Sequence, residues 1–251
     1  MMSVVLETRG LVKCFGRFVA ADHVNLQVQA GARHALIGPN GAGKTTLINL
    51  LTGFIEPTAG DVVFKGEVVT RLPQHRRVQR GLARTFQINR LFADLTVLES
   101  VLMVVNERLG LGAHFWRPAG AFKHAVDDAA GVLADLHLLE VAHAMTRSLP
   151  YGKRRLLEIA LALAARPQVL LLDEPAAGVP AGESRELFET IARLPRDVTV
   201  LLIEHDMDLV FRFADRISVL VNGALLAEAE PDAIARDPRV KEVYLGEAIG
   251  G

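Results

Sequence analysis

The run Gly38-Pro39-Asn40-Gly41-Ala42-Gly43-Lys44-Thr45-Thr46 constrains this chain more than any other stretch, because it joins an apolar segment to an apolar-periodic one. Ala35, Leu36 and Ile37 read as a buried strand, and after Thr45 the residues Leu47, Ile48, Leu50 and Leu51 recur at helix spacing. Glycines at such a strand-to-helix turn can aim successive backbone N–H groups at an anion, and the N-terminus of the helix adds to the attraction. In that cradle Lys44 is placed for the β- and γ-phosphates of a nucleoside triphosphate, the Thr45 hydroxyl for Mg²⁺, and Thr46 with nearby amides for the α-phosphate. Gly38 through Thr46 are therefore the candidate nucleotide-binding residues.

Composition narrows the classes. A chain of 251 residues, half of them hydrophobic, can bury one sizeable core with a smaller lobe. The formal net charge of -1 gives no sign of the wide basic face of a nucleic-acid binder, so no nucleic-acid partner is expected. Cys14 is the only cysteine, which excludes an internal disulfide and suits a reducing cytoplasm. No apolar run reaches the length of a membrane span, and the opening MMSVVLETRG lacks a secretory layout. Any membrane role is expected to come through a partner.

Along the chain, strand and helix signals alternate with one interruption. Residues 4–8 and 24–30 read as short strands, and 61–65 with 67–69 as a hairpin around Gly66. From Leu91 the pattern turns helical: Val97, Leu98, Val101, Leu102 and Val105, then Val126, Ala130, Leu133, Leu136 and Leu138. Between these helices the segment 110–120, with Phe115, Trp116 and Pro118, reads as an irregular insert. The runs VLLLDEP and VTVLLIEH read as buried parallel strands with a helix from Glu183 to Arg193 between them. The expected fold is α/β, a parallel-sheet core with an antiparallel β subdomain and an inserted helical subdomain.

Asp173 and Glu174 end the apolar strand Val169–Leu172, at the carboxyl edge where α/β sheets bind ligands. Asp173 is placed to hold the Mg²⁺ shell, and Glu174 to orient or deprotonate the water that attacks a γ-phosphorus.

With LARTFQ, LPYGKRRLLEIALAL, LLLDEP and LLIEHD following the phosphate loop in order, nearly the whole chain resembles the ATP-binding cassette (ABC) family of P-loop NTPases. Taken singly, Gln87 is as readily an exposed polar residue and His205 a hydrogen-bonded strand end. The resemblance implies that Gln87 senses the metal and that His205 contacts the γ-phosphate. It also implies that Leu149-Pro150-Tyr151-Gly152-Lys153 stands at the signature segment, which acts on the ATP of a partner subunit. Only Leu149 and Gly152 keep the usual Leu-Ser-Gly-Gly-Gln pattern, and Pro150 removes both a serine hydroxyl and a backbone N–H. Phe15 is a candidate to stack on adenine, and equally a turn or core residue. One cassette is implied over 1–251: a nucleotide-binding core with β subdomain at 1–90 and 165–230, a helical subdomain at 91–164, and a tail at 231–251.

GLARTFQINRLF, DEPAAG, LLIEHDMDLV and the tail VYLGEA are similar to one branch, the LivG-type ATPases of branched-chain amino acid importers. That resemblance implies a peripheral motor on the cytoplasmic face of the cell membrane. Its implied partners are a second ATPase subunit, related or identical, two transmembrane permease subunits, and a periplasmic or extracellular solute-binding protein. A soluble cassette acting on nucleic acid or ribosomes would normally carry two cassettes or a basic extension. A regulatory subunit that binds ATP with weak hydrolysis is the other alternative, motivated by Pro150.

Overall fold

Strand β4 (Arg33–Ile37) is buried at every position, which is why its sequence shows no polar alternation and why it lies inside a sheet. The computed structural model describes residues 3–85, 91–111 and 122–249. On either side of β4 run β9 (Thr199–Ile203) and β10 (Arg216–Val221), both parallel to it. Strand β8 (Val169–Asp173) pairs parallel with β9, and β11 (Ala224–Ala229) folds back antiparallel on β10. The order is β11-β10-β4-β9-β8, with β7 (Leu82–Arg84) beyond β8 at the far edge.

A second, antiparallel sheet surrounds β1 (Val4–Phe15), which pairs with β2 (Phe18–Val24), β3 (Gln27–Gln29) and β5 (Ala59–Phe64); β6 (Glu67–Val68) completes the hairpin on β5. The strand expected at 4–8 continues to Phe15. Its register slips against both neighbours between Arg9 and Lys13, beside Gly10 at φ 52°, and this breaks the alternation that marks a strand in sequence. The strand expected at 24–30 is divided, because the Asn25 side chain donates to His23 O (2.9 Å) and accepts from Gly10 N–H (2.7 Å), making a turn there.

Helix α1 (Lys44–Thr52) buries Leu47, Ile48, Leu50 and Leu51 in the cluster that also holds Leu36, Phe64, Leu171, Leu201 and Ile203. Each such side chain contributes roughly 2 kcal/mol of gross burial energy. The helix ends in an unforeseen way. From α2 (Gln74–Gln79), the buried Arg77 guanidinium donates to the terminal carbonyls Leu50 O and Leu51 O, each at 2.7 Å, and to Thr70 O at 2.7 Å. Burial lowers its pKa to about 10. On the same unit α7 (Met207–Phe213), α8 (Pro231–Arg236) and α9 (Pro238–Ile249) follow β9 and β11, with Ile234 of α8 buried.

The described residues of 1–82, 168–174 and 196–251 form this first compact unit, and those of 83–167 and 175–195 form a second. The second is helical. Helix α3 (Val97–Arg108) starts at a capping box in which Glu99 N–H donates to Thr96 Oγ1 and Thr96 N–H to Glu99 Oε2, and it buries Val97, Val101, Leu102 and Val105. Helix α4 (Lys123–Asp135) turns Ala125, Ala129 and Leu133 inward, leaving Val126 and Ala130 half-buried at the edge of the stripe. Of the stripe the periodicity suggests, Leu133, Leu136 and Leu138 are buried, while Ala125 and Ala129 take the places expected for Val126 and Ala130. Helix α5 (Tyr151–Ala164) is buried on most sides, including Leu156, Ile159 and Ala160, with Leu163 half-buried. Helix α6 (Ala181–Ala192) packs on α5 in this unit, whereas the boundaries drawn from sequence assign 165–230 to the core. An amphipathic stripe states that a helix buries one face without stating against what.

Candidate functional site

The chain leaves β4 at Ile37, turns through 38–43 and enters α1 at Lys44. The turn closes with Ala42 N–H donating to Pro39 O at 3.1 Å, and it is tied to the β10–β11 hairpin by Gly223 N–H donating to Ala42 O at 2.9 Å. Gly43, the N-cap, has φ 100°, and a Cβ there would lie 2.4 Å from Ala20 O on β2; at Gly38 one would lie 2.1 Å from Leu220 O. Both positions exclude a side chain because backbone passes against them. Lys44 is buried, and its ammonium donates across the turn to Gly38 O (2.6 Å) and Pro39 O (2.9 Å). Thr45 is exposed and Thr46 half-buried, and the first N–H groups of α1 point toward the turn.

Sheet register aligns the other groups with this turn. Leu36 pairs with Ile203, and Ile203 with Asp173, so the three are level across β4, β9 and β8. Glu174 follows Asp173 directly, Glu204 and His205 follow Ile203, and Gly38 follows Ile37, so all of them leave the same ends of β8, β9 and β4. Phosphate loop, Asp173, Glu174 and His205 therefore share the carboxyl edge of the parallel strands, with β8 two strands from β4, a separation of about 10 Å.

Glu174 takes φ 47°, and its N–H donates to Ile203 O at 3.0 Å. A left-handed conformation is unfavourable for a residue with a Cβ, and its presence where the strand ends marks a turn held by its surroundings. The His205 side chain is exposed, while its backbone N–H donates to Glu204 Oε2 at 2.9 Å and its Nδ1 lies 3.5 Å from the same oxygen. Glu204 itself is buried. It was not among the residues drawn from sequence, although the signal that selects Asp173, an acid ending an apolar strand, applies to it equally.

Phe15 is 51% exposed at the end of β1, opposite Phe18 in the hairpin, with Lys13 Nζ 5.1 Å from its ring centre. Phe15 is thus no core residue. Helix α5 in the second unit begins at Tyr151 after Pro150, which caps it without a side-chain hydrogen bond; Leu149 and Gly152 are buried, Pro150 and Tyr151 exposed, and Lys153 pairs with Glu140. Gln87 lies outside the described residues, as do Phe115, Trp116 and Pro118.

Comparison with known proteins gives the family. The family model described as ABC transporter matches residues 21–177, and that described as branched-chain amino acid ATP-binding cassette transporter matches 224–249. The chain is 43% identical to the high-affinity branched-chain amino acid transport ATP-binding protein BraF of Pseudomonas aeruginosa, over 99% of this chain and 100% of that protein. It is 42% identical to LivG of Escherichia coli K12, a protein of the same description, with the same coverage. Among solved structures, the ADP conformation of MJ1267, an ATP-binding cassette of an ABC transporter, superposes with a TM-score of 0.85 at 33% identity, covering 97% of this chain and 99% of that one. The dimeric cassette MJ0796 shares the fold, with a TM-score of 0.74 at 24% identity over 90% of this chain and 98% of that one.

Proposed function

This chain belongs to the ABC transporter family, and on that premise we propose that it binds and hydrolyses ATP as the motor subunit of an importer for branched-chain amino acids or related solutes. The observation that carries the reading is the alignment of phosphate loop, Asp173, Glu174 and His205 on one sheet edge.

Residues Gly38 to Thr46 wrap the triphosphate of ATP, with backbone N–H groups of the turn and of α1 on its oxygens. Lys44 is held ready by two carbonyls, so its ammonium exchanges those acceptors for β- and γ-phosphate oxygens with little loss of side-chain entropy. Thr45 and Asp173 offer hard oxygen ligands of the kind that suit Mg²⁺, and among the described residues no group of three or more His, Cys, Asp and Glu is assembled into an all-protein cage. Thr45, Asp173 and Gln87 would hold the ion, which when bound would supply charge neutralisation at the phosphates. Glu174, in the left-handed turn that ends β8, orients the attacking water and accepts its proton. His205 contacts the γ-phosphate from the neighbouring strand end, its backbone fixed by the buried Glu204. Phe15 stacks on the adenine.

Leu149 to Lys153 close the phosphate site of a partner ATPase, identical or related, so the functional unit is a pair. Two permease subunits receive the motion, a solute-binding protein delivers the solute outside, and no nucleic acid takes part. Those subunits hold the chain peripherally at the cytoplasmic face of the membrane; among the described residues no helix is long and apolar enough to cross a membrane. The test is Glu174→Gln in the assembled transporter. ATP binding is expected to survive while hydrolysis falls by about 100-fold or more; equal turnover in variant and wild type removes Glu174 from the role.

A further inference from the structure

One backbone oxygen in the helical unit gathers two side chains from the start of α5. Ala177 O accepts from the Tyr151 hydroxyl at 3.1 Å and from Arg155 Nη2 at 3.2 Å. The guanidinium of Arg155 lies 5.5 Å from the Tyr151 ring centre, and its Nη1 donates to Glu158 Oε2 at 3.0 Å. The Arg155 side chain is 13% exposed and that of Glu158 3%, so the cation is held away from water by its own helix and turned onto the loop.

The loop is shaped to receive them. Gly178 has φ 75°, and a Cβ there would come 3.0 Å from Tyr151 Oη and 3.4 Å from its Cζ. Only glycine lets the tyrosine hydroxyl descend onto the preceding carbonyl without displacing the loop. On its far side the same loop closes with Val179 N–H donating to Ala176 O at 3.0 Å, and it is fastened to α6 by Ser184 Oγ donating to Val179 O at 3.1 Å.

From this arrangement we infer that Tyr151 and Arg155 are positioning residues that clasp the loop 175–180 to the first turn of α5, so that the segment leaving Glu174 and the segment presented to the partner's nucleotide move as one body. The inference rests on the proposed ATPase function for its consequence and on the hydrogen bonds alone for its geometry. It also gives the tyrosine at a position where the family pattern has glycine a task of its own: its ring and hydroxyl serve this chain's loop.

The physical consequence is local. A carbonyl oxygen with both acceptor positions occupied by donors from one helix cannot follow the loop away from that helix without breaking both hydrogen bonds and leaving Arg155 Nη2, on a shielded guanidinium, without that acceptor. Loss of one neutral hydrogen bond corresponds to about a fivefold change in an opening equilibrium.

The experiment is Tyr151→Phe, which deletes the hydroxyl and keeps the ring. Amide hydrogen exchange of residues 174–182 is followed in the isolated full chain, and kcat and KM for ATP are measured in the transporter assembled with its membrane partners. Exchange in the loop is expected to rise about fivefold, and kcat to fall by about fivefold with KM changed less than about twofold. Arg155→Lys, which keeps the charge and loses the fork, is expected to move the same two readouts in the same direction. Unchanged loop exchange in both variants overturns the clasp, and faster exchange with unaltered kcat overturns its positioning role. A fall in kcat with a matching change in KM and no change in exchange assigns the hydroxyl to the partner's nucleotide instead, which also overturns it. If the wild-type assembly hydrolyses no ATP, the proposed function fails, and the exchange measurement decides the clasp by itself.

Discussion

Substituting His34 by Gln should alter how stability depends on pH, by an amount the structure fixes. His34 is fully buried on β4, and its Nε2 lies 2.8 Å from Ser218 Oγ, which in turn donates to Glu228 Oε2 at 2.9 Å. Since the serine proton points to the carboxylate, His34 donates through Nε2, and the network assigns the proton to that nitrogen. Its Nδ1 is buried with no acceptor nearby, so a second proton there would be an unpartnered buried charge. Burial accordingly lowers its pKa from 6.5 to about 4; Arg216 adds to the shift and Glu228 opposes it. Between those values the unfolded chain binds a proton that the folded chain does not. Stability is therefore full above pH 6.5 and lost as pH falls toward 4, by about 2.5 kcal/mol between pH 7.5 and 4.5. Glu158 has the opposite sign. Burial raises it from 4.5 to about 7 against the pull of Arg155, so the folded chain holds a proton the unfolded one has released, and stability falls by about 3 kcal/mol as pH rises through that window. The assay is urea unfolding at pH 4.5, 5.5, 6.5 and 7.5. The stability difference between wild type and His34→Gln should shrink by about 2.5 kcal/mol from pH 7.5 to 4.5, and that for Glu158→Gln should move the other way. A difference between wild type and His34→Gln that stays constant across the series refutes the buried-neutral account of this histidine.

Two further perturbations address the phosphate loop. Lys44→Ala removes a buried cation that bridges two loop carbonyls, and nucleotide affinity measured by titration calorimetry should fall by about tenfold or more; unchanged affinity would exclude Lys44 from the phosphates. Gly43→Ala forces a Cβ toward Ala20 O at φ 100°, and it should destabilise the protein by about 1–3 kcal/mol in denaturant unfolding and weaken nucleotide binding with it. Wild-type stability in that variant would show that β2 yields readily beside the loop.

The chain's own residues determined the parts that rest on short-range rules. Gly38 to Thr46 between an apolar strand and a periodic helix, the continuous apolar runs of β8 and β9, and Asp173 with Glu174 at a strand end are local patterns, and the fold keeps all of them. What only the tertiary structure decided involves residues far apart in sequence. The register of β4 on β9 and β9 on β8 brings the strand ends that lead into Gly38, Glu174 and His205 to one edge of the sheet. The Arg77 cap on α1, the His34–Ser218–Glu228 chain and the two donors on Ala177 O pair groups with no periodic relation to one another. Period and composition specify which face of an element is buried; which carbonyl or carboxylate lies across from it is fixed only when the elements pack, because a buried polar group takes its partner from whatever the fold brings within reach.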